Sequence, residues 1–323
     1  MAVLVTGGAG YIGSHMTYAL LDRGEKVVVL DNLSTGVRAL VPPGALFIEG
    51  NVGDPALIGR ILREQAIDAV IHFAGSVVVS DSVADPLAYY ENNTVASRSL
   101  IASCVASGVH RFIFSSTAAV YGEGIGLPVP EGAPTVPINP YGASKLMTEW
   151  MLADAARAHE FGYVALRYFN VAGADPKGRT GQSTPRATHL IKRACQVALG
   201  RYDALDIFGT DYPTPDGTGI RDYIHVADLV GAHILALDYL RDGGRSEVFN
   251  CGYGHGASVR EVVLAVEKIS EKPLPIRHGP RRAGDPPALV ANSAKLQAAL
   301  QWKPEFDDLC DIVRSAYAWE LKQ

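Results

Sequence analysis

The chain begins with a short apolar strand that runs directly into a glycine-rich turn, and this feature restricts the fold more than any other. Residues 2–5 read AVLV, and the turn that follows carries Gly7, Gly10 and Gly13 in TGGAGYIGSHM. Glycines at these spacings permit a tight turn, close approach of the backbone to a pyrophosphate, and close helix–strand packing. The N-terminus of the following helix offers N–H groups and a positive dipole to phosphates. We therefore predict a dinucleotide-binding turn rather than a glycine-rich turn of a nucleotide-free protein.

Strands and helices alternate through the first half of the chain. Runs rich in Val, Ile and aromatic residues predict strands over 2–5, 26–30, 45–50, 68–75, 111–116 and 163–170, with helices over 11–23, 54–65, 85–107 and 141–160. Strands with little polar alternation are typical of a parallel sheet buried on both faces. The pattern predicts an α/β protein with a Rossmann-type doubly wound parallel sheet.

The sequence changes character after the Gly/Pro/Ser-rich stretch 170–185. Helices are predicted over 187–200, 226–240, 258–270, 293–301 and 306–321, with a few short strands and with loops such as 209–219 and 278–287 between them. We predict a dinucleotide-binding domain over 1–175, with part of 223–250 packing back on it. A smaller mixed α/β C-terminal substrate domain is predicted over 176–323.

An acidic residue stands at the end of the second predicted strand. Asp31, in VVVLDN, occupies the place where a carboxylate accepts hydrogen bonds from the adenosine ribose and repels a 2′-phosphate. The next arginine is Arg38. We therefore predict NAD, rather than NADP, as the cofactor.

A tyrosine and a lysine share one predicted helical face in PINPYGASKLMTEW, residues 137–150. Pro140 fits the first turn of a helix, and Tyr141 and Lys145 are then about one turn apart. A nearby ammonium lowers the pKa of a phenol by about two units, and oxidised NAD would add a second positive charge. The phenol could then act as base before hydride transfer and as acid after it. The spacing alone is equally compatible with an ordinary helix that carries a half-buried Tyr and a solvated Lys.

Ligands of open α/β sheets bind beyond the carboxyl ends of the strands, and several polar residues fall at that edge. Ser115, Ser116 and Thr117 end one strand, and Asn170 ends the next. Thr117 could bind a substrate hydroxyl or merely cap a loop.

The second predicted domain offers candidate substrate contacts of its own. Arg221 and Arg282 lie in glycine-rich loops, where an arginine is either a bidentate phosphate clamp or a surface residue. Phe208 could flank a nucleobase or belong to the core.

Composition excludes several classes of function. The net charge is −5 and no basic stripe suggests nucleic acid. The start, MAVLVTGGAG, lacks the features of a signal peptide, and no apolar run approaches the length of a membrane span. The four cysteines form no CxxC, which predicts reduced thiols in a cytoplasmic protein. The nine histidines form no HxxxH or HExxH pair, so we predict no metal site.

The chain resembles the epimerase branch of the extended short-chain dehydrogenase/reductase family from end to end. The resemblance lies in TGGAGYIGSH, the DN at 31–32, HFAG, SSTAAVYG, PYGASK, RYFNVAGAD, FGTDYPTPDGTGIRDYIHVADL and PRRAGDPPALVAN. It implies tightly bound NAD and reversible C4 epimerisation of UDP-galactose and UDP-glucose through a 4-keto sugar. It also implies a two-domain fold and a homodimer joined by helices 85–107 and 141–160.

Matched position by position, the resemblance implies a complete set of site residues. The implied catalytic residues are Tyr141, Lys145 and Thr117. The implied cofactor contacts are Gly7, Gly10, Tyr11, Ile12, Gly13, Asp31, Asn32, Ser34, Thr35, Gly36, Asn51, Val52, Phe73, Ala74, Gly75, Asn92, Ser115, Tyr141, Lys145 and Tyr168. The implied UDP-sugar contacts are Thr117, Tyr141, Asn170, His189, Leu190, Phe208, Arg221, Arg282, Asp285 and Leu289.

Three alternatives stay open at this point. Leu289 stands at a position that is bulky in some family members and small in others, so the use of N-acetylated UDP-sugars stays open; the sequence also leaves the use of pentose UDP-sugars open. A nucleotide-sugar 4,6-dehydratase commonly has Asp–Glu after the threonine, where this chain has Ala118 and Ala119. A non-catalytic NAD-sensing protein is disfavoured because Thr117, Tyr141 and Lys145 are intact.

Overall fold

The apolar runs of the first half of the chain lie side by side in one sheet. The computed structural model describes residues 1–123, 126–185, 187–282 and 285–323. Its strands are β1 (Ala2–Thr6), β2 (Lys26–Asp31), β3 (Leu46–Glu49), β4 (Ile67–His72), β5 (Arg111–Thr117), β6 (Gly162–Tyr168), β7 (Asn170–Ala172), β8 (Leu205–Phe208), β9 (Ile220–Arg221), β10 (Tyr223–His225), β11 (Glu247–Cys251), β12 (Ala257–Ser258), β13 (Ile276–Gly279) and β14 (Ala288–Leu289).

The predicted helices form, with small shifts at their ends. They are α1 (Tyr11–Asp22), α2 (Pro55–Glu64), α3 (Val79–Ala84), α4 (Pro86–Tyr89), α5 (Ala96–Ala106), α6 (Pro140–Ala158), α7 (Leu190–Ala198), α8 (Val226–Arg241), α9 (Val259–Ser270), α10 (Ala294–Leu300) and α11 (Leu309–Glu320). A π-helical turn, Tyr90–Val95, joins α4 to α5, so predicted helix 85–107 is continuous but locally widened. The short helix α3 has no counterpart among the predictions.

The main sheet has seven strands in the order β11-β6-β5-β4-β1-β2-β3. The pairs from β3 to β5 are parallel, and the central strand β1 is buried along its whole length. The chain winds outward from β1 through β2 to β3, and in the other direction from β4 through β5 to β6. The predicted doubly wound sheet is confirmed, and its winding reverses between β1 and β4, where ligands of such sheets bind.

The chain divides into two units. The first comprises Met1–Gly122, Pro134–Arg167 and Val230–Phe249, and the second comprises Glu123–Ala133, Tyr168–Leu229 and Asn250–Gln323. Each unit has its own apolar core. The core of the first lies around Leu4, Ile58 and Phe112, and that of the second lies around Ile191, Val262 and Val313.

Local sequence explains where the main helices begin. The side chain of Asn139 accepts from the backbone N–H of Gly142, and Pro140 occupies the first turn of α6. At α9, the Ser258 hydroxyl accepts the backbone N–H of Glu261 and the Glu261 carboxylate accepts that of Ser258, which is a capping box. These caps fix the ends of helices that the apolar pattern places only approximately.

Two predicted strands end differently from the prediction. The strand predicted over 68–75 stops at His72, and Gly75 then turns the chain with φ +155°. The strand predicted over 163–170 divides into β6 and β7, because β7 pairs with β10 in a separate two-stranded sheet. Ala283 and Gly284 of the predicted loop 278–287 lie outside the described residues.

Candidate active site

The turn between β1 and α1 is so tight that two of its glycines admit no side chain. Gly7 has φ +69°, and a Cβ there would lie 2.6 Å from the backbone nitrogen of Ala74. A Cβ on Gly13 would lie 2.2 Å from the carbonyl oxygen of Gly7. The N-cap of α1 is Gly10, which has no side chain that could cap the helix. The turn therefore has the close backbone and the helix N-terminus that suit a pyrophosphate.

Asp31 ties the end of β2 to this turn. Its buried carboxylate accepts the backbone N–H of Ala9 at 2.9 Å and that of Leu33 at 2.8 Å. A Cβ on Gly36 would lie only 2.8 Å from Asp31 Oδ1, so the following loop passes close to the carboxylate. A negative charge is thus fixed beside the glycine turn.

Thr117 and Tyr141 are brought together in the first unit. Thr117 ends β5, Tyr141 lies in the first turn of α6, and their side chains are hydrogen-bonded. The Thr117 hydroxyl oxygen also accepts the backbone N–H of Ala119 at 3.2 Å, which leaves the hydroxyl proton to be donated to the phenol oxygen. A phenol and a hydroxyl joined in this way are groups that can carry a proton.

Lys145 is anchored beside this pair. Its buried ammonium donates to the carbonyl oxygen of Ser115 at 3.0 Å and lies 5.0 Å from the centre of the Phe114 ring. A Cβ on Gly75 would lie 3.6 Å from Lys145 Nζ, so the loop after β4 also approaches the ammonium. Burial lowers the pKa of Lys145 from 10.5 to about 8.

The pKa of Tyr141 shifts in the direction opposite to the one predicted from Lys145. Burial raises the pKa of the phenol, and the hydrogen bond from Thr117 lowers it by less. The prediction of a lowered pKa is therefore wrong for the protein alone, because desolvation of the phenol is the dominant effect. Phenolate at neutral pH requires a further positive charge close to the phenol.

A buried asparagine that the sequence did not single out links the loop after β4 to α6. Asn93 Oδ1 accepts the backbone N–H of Ser76 at 2.7 Å, and its Nδ2 donates to Ser144 Oγ at 3.1 Å. The Ser144 hydroxyl donates in turn to the carbonyl oxygen of Tyr141 at 2.7 Å. Asn93 lies in the π-helical turn, which no periodicity in the sequence indicates.

Three predicted UDP-sugar contacts meet in the second unit. Arg221 forms an ion pair with Asp285 and donates to the carbonyl oxygen of Ile220 at 2.8 Å. Leu289, in β14, is the register partner of Arg221 in β9, in a parallel pair. A guanidinium, a carboxylate and an apolar side chain are therefore clustered.

The other predicted substrate contacts of this unit lie in further segments of the chain, and the carbonyl oxygen of Arg282 accepts the backbone N–H of Asp285 at 3.3 Å. The Arg282 guanidinium carbon lies 4.1 Å from the centre of the Phe208 ring, a cation–π contact. His189 is the N-cap of α7, and Leu190 is the first residue of that helix. Asn170 begins β7 and is exposed.

The remaining predicted cofactor contacts, with the exception of Asn92, lie at the carboxyl ends of strands or just beyond them. They are Tyr11 and Ile12 at the start of α1; Asn32, Ser34 and Thr35 after β2; Asn51 and Val52 after β3; Phe73 and Ala74 after β4; Asn92 in the π-helical turn; Ser115 in β5; and Tyr168 at the end of β6. Asn92 donates to Ser76 Oγ at 2.9 Å.

The described residues hold neither a metal-binding cluster nor a membrane-spanning helix. No group of three or more His, Cys, Asp or Glu there could hold a metal ion. No helix within the described ranges has the length and apolar character needed to cross a membrane.

Comparison with known proteins places the chain among sugar-nucleotide enzymes. The model of the NAD dependent epimerase/dehydratase family matches residues 3–252. UDP-glucose 4-epimerase of Azospirillum brasilense is 58% identical over 318 residues, which cover 98% of this chain and 91% of that protein.

Two solved structures match over nearly the whole chain. UDP-glucose 4-epimerase from Brucella ovis in complex with NAD has a TM-score of 0.95 and 46% identity, covering 98% of this chain and 97% of that one. UDP-glucose 4-epimerase from Bifidobacterium longum in complex with NAD+ and UDP has a TM-score of 0.94 and 39% identity, covering 100% of this chain and 98% of that one.

Proposed function

Since the chain belongs to the NAD dependent epimerase/dehydratase family, we propose that it interconverts UDP-glucose and UDP-galactose by inverting C4 of the sugar. The observation that carries the proposal is the group of Thr117, Tyr141 and Lys145 at the carboxyl edge of the sheet that also bears the glycine turn. Reversible oxidation of an alcohol carbon requires a proton-transfer group and a hydride acceptor. The cofactor is NAD.

The first unit fits NAD in its backbone and in its charge. A Cβ at Gly7 or Gly13 would collide with backbone atoms, so the turn keeps the close approach that a pyrophosphate needs. The Asp31 carboxylate is fixed at the end of β2, where ribose hydroxyls are bound in sheets of this kind. When bound, NAD would supply the acceptor for the hydride that leaves C4 of the sugar, and later the donor that returns it.

Tyr141 takes the proton of the 4-hydroxyl and later returns it. Thr117 donates to the phenol oxygen and so stabilises the phenolate. The Lys145 ammonium, whose pKa is about 8, is largely protonated at neutral pH and is held by Ser115. Lys145 thus provides a fixed positive charge on the same face of α6 as Tyr141.

The second unit supports binding of the UDP moiety. Guanidinium groups suit diphosphate oxygens, and Asp285 restrains the Arg221 guanidinium while Phe208 restrains that of Arg282. An epimerase benefits from firm contacts to UDP and loose contacts to the sugar, because the keto sugar must present both faces in turn.

The dehydratase alternative finds no support in the residues after Thr117. Elimination of water requires an acid and a base near C5 and C6, but Ala118 and Ala119 follow and form a 3-10 turn. The side chain of Leu289 is also compatible with a substrate other than UDP-glucose and UDP-galactose, such as an N-acetylated UDP-sugar.

The chain further supports a homodimer formed through α6 and the helical segment that contains α4 and α5. Leu87, Val95 and Trp150 are 76%, 46% and 57% exposed. Large apolar side chains exposed on packed helices are typical of an interface.

The cysteines of the described residues are free thiols, which supports a location in the cytoplasm, where thiols stay reduced.

Incubation of the purified protein with UDP-galactose, without added NAD, tests the proposal. We expect UDP-glucose to accumulate until the two sugars reach equilibrium. A dehydrated 4-keto-6-deoxy product would instead indicate the dehydratase. Retention of bound NAD with no turnover would indicate a sensing protein.

A further inference from the structure

Three consecutive residues at the end of β5 are each held by a different residue of α6. The contacts are Thr117 with Tyr141, Ser115 with Lys145, and Ser116 with Glu149. The three α6 residues are four apart, so they lie on one face of the helix. The first two contacts belong to the proton-transfer group, whereas the third, between Ser116 and Glu149, lies outside it.

Glu149 also joins α6 to β6, the neighbour of β5 in the sheet. Its carboxylate accepts the Ser116 hydroxyl at 2.5 Å, Arg167 Nε at 2.9 Å and Arg167 Nη2 at 2.5 Å. Arg167 Nη1 donates to the Tyr121 hydroxyl at 3.1 Å. All four side chains are buried. The helix that bears Tyr141 is therefore fixed to two adjacent strands by a single carboxylate.

Stability does not explain why a charge pair occupies this place. Desolvation of two buried ions offsets most of their attraction, and apolar side chains of similar volume are often equally stable or better. A fully hydrogen-bonded buried network does favour one arrangement of the elements that it joins. For Ser116, Glu149 and Arg167, that arrangement is the register of α6 on β5.

We propose that Glu149 is a positioning residue, which holds α6 in the register where the Tyr141 phenol meets the Thr117 hydroxyl. The inference rests on the proposed function, because its consequence is the rate of proton transfer. A misplacement of about 1 Å in a reacting group can cost about 100-fold in rate. Glu149 acts through Tyr141 and has no contact with substrate in the mechanism proposed here.

The test separates stability from rate by replacing the charge pair with apolar residues. The paired variant Glu149→Met/Arg167→Met removes both charges of the ion pair together, so the urea midpoint should stay near that of the wild type. We expect kcat for UDP-galactose to fall about 10- to 100-fold, with KM and the content of bound NAD unchanged. Ser116→Ala removes only the hydrogen bond between β5 and Glu149 and should also lower kcat. If the paired variant does not fold, the kcat of Ser116→Ala tests the inference.

A matched control alters another buried carboxylate of the same unit. Asp68, in β4, pairs with Arg241 and has a side chain only 6% exposed, yet it lies at the amino end of its strand. Asp68→Asn should leave kcat within about twofold of the wild type, because no proton-transfer residue depends on it.

A double-mutant cycle shows whether Glu149 acts through the proton-transfer pair. In a Thr117→Ala background, where the hydroxyl to be aligned is absent, the paired replacement should cost less than about threefold in kcat. Undiminished kcat in both Glu149/Arg167 and Ser116 variants overturns the inference, and so does a loss that is fully additive with Thr117→Ala. An inactive wild type overturns the proposed function and the inference together, whereas an active wild type with unaffected variants overturns the inference alone.

Discussion

The hydroxyl of Thr117 hydrogen-bonds the phenol of Tyr141, and this bond joins the end of β5 to the first turn of α6. The bond lowers the pKa of a phenol that burial raises. Because burial has the larger effect and the pKa is raised overall, the phenol remains protonated in the protein alone. In the proposed mechanism, proton abstraction would therefore depend on the positive charge of the oxidised cofactor, which would couple proton transfer to hydride transfer.

Tyr141→Phe should remove turnover while leaving the UDP moiety bound. The ring is kept, but the group that carries the proton is lost, and such groups commonly contribute about 10²–10⁴-fold in rate. The measurement is kcat for UDP-galactose, together with the Kd for UDP by calorimetry.

Tyr202→Phe is the matched control for this substitution. Tyr202 is 44% exposed and stacks beneath Arg193, a contact that the phenylalanine ring preserves. The Tyr202→Phe variant should keep the wild-type kcat for UDP-galactose. More than about a tenth of that rate in Tyr141→Phe would mean that another group carries the proton.

Gly13→Ala should abolish retention of NAD. The new Cβ would lie 2.2 Å from the carbonyl oxygen of Gly7, a backbone atom, so the turn must open. We expect the wild type to release NAD, and not NADP, on denaturation, and the variant to release little of either. Gly231→Ala serves as control, because a Cβ there meets nothing within 4 Å and α8 should tolerate it. Equal NAD content in Gly13→Ala and wild type would place the dinucleotide elsewhere.

The sequence predicted those parts of the molecule that depend on local patterns. The glycine spacing predicted the tight turn, and apolar runs predicted the parallel sheet, because burial on both faces leaves a direct mark on composition. The Tyr141–Lys145 spacing placed both residues in α6. Their distance in sequence fixes their common face without reference to the rest of the fold.

Features that depend on distant contacts could not be predicted. Glu149 meets Ser116 and Arg167 only after α6 packs on β5 and β6, and no spacing in the sequence expresses that contact. The sequence predicted the wrong direction for the Tyr141 pKa shift, because a sequence gives no measure of how far burial desolvates a side chain. The orientation of Asn93 depends on a π-helical turn that hydrophobic periodicity does not reveal.

His72 should make the protein less stable as the pH falls. Its buried ring contacts Thr6 Oγ1 at 2.7 Å and Ser97 Oγ at 2.9 Å, and burial lowers its pKa from 6.5 to about 3. Between these two values the unfolded chain binds more protons, so the free energy of unfolding falls by up to about 1.4 kcal/mol per pH unit. Urea denaturation of His72→Gln should show a shallower pH dependence than the wild type. His159→Gln, at an exposed position, should leave it unchanged.

The bulk of Leu289 should set the preference between sugars with and without an N-acetyl group. Its strand is held in place by backbone bonds, from Ile220 N–H to Pro287 at 2.9 Å and from Asp222 N–H to Leu289 at 3.1 Å, so a changed side chain should leave the strand intact. Leu289 lies opposite Arg221, a residue proposed to bind the diphosphate. Leucine would occupy part of the space of an acetamide and offer it no hydrogen bond. Overfilling a packed site costs about 1–3 kcal/mol, roughly a 5- to 150-fold handicap.

We therefore expect the wild type to prefer UDP-glucose over UDP-N-acetylglucosamine, and the preference to follow side-chain size at this position. Leu289→Ala should raise relative activity on the N-acetyl sugar, because removal of the isobutyl group frees volume beside the 2-substituent. Leu289→Tyr should abolish that activity and spare UDP-glucose. The measurement is the ratio of kcat/KM for the two sugars in all three proteins, with Leu264→Ala, at a position 58% exposed on α9, as control. If the ratio is constant across the series, Leu289 does not line the sugar pocket, and sugar size must be selected by other residues.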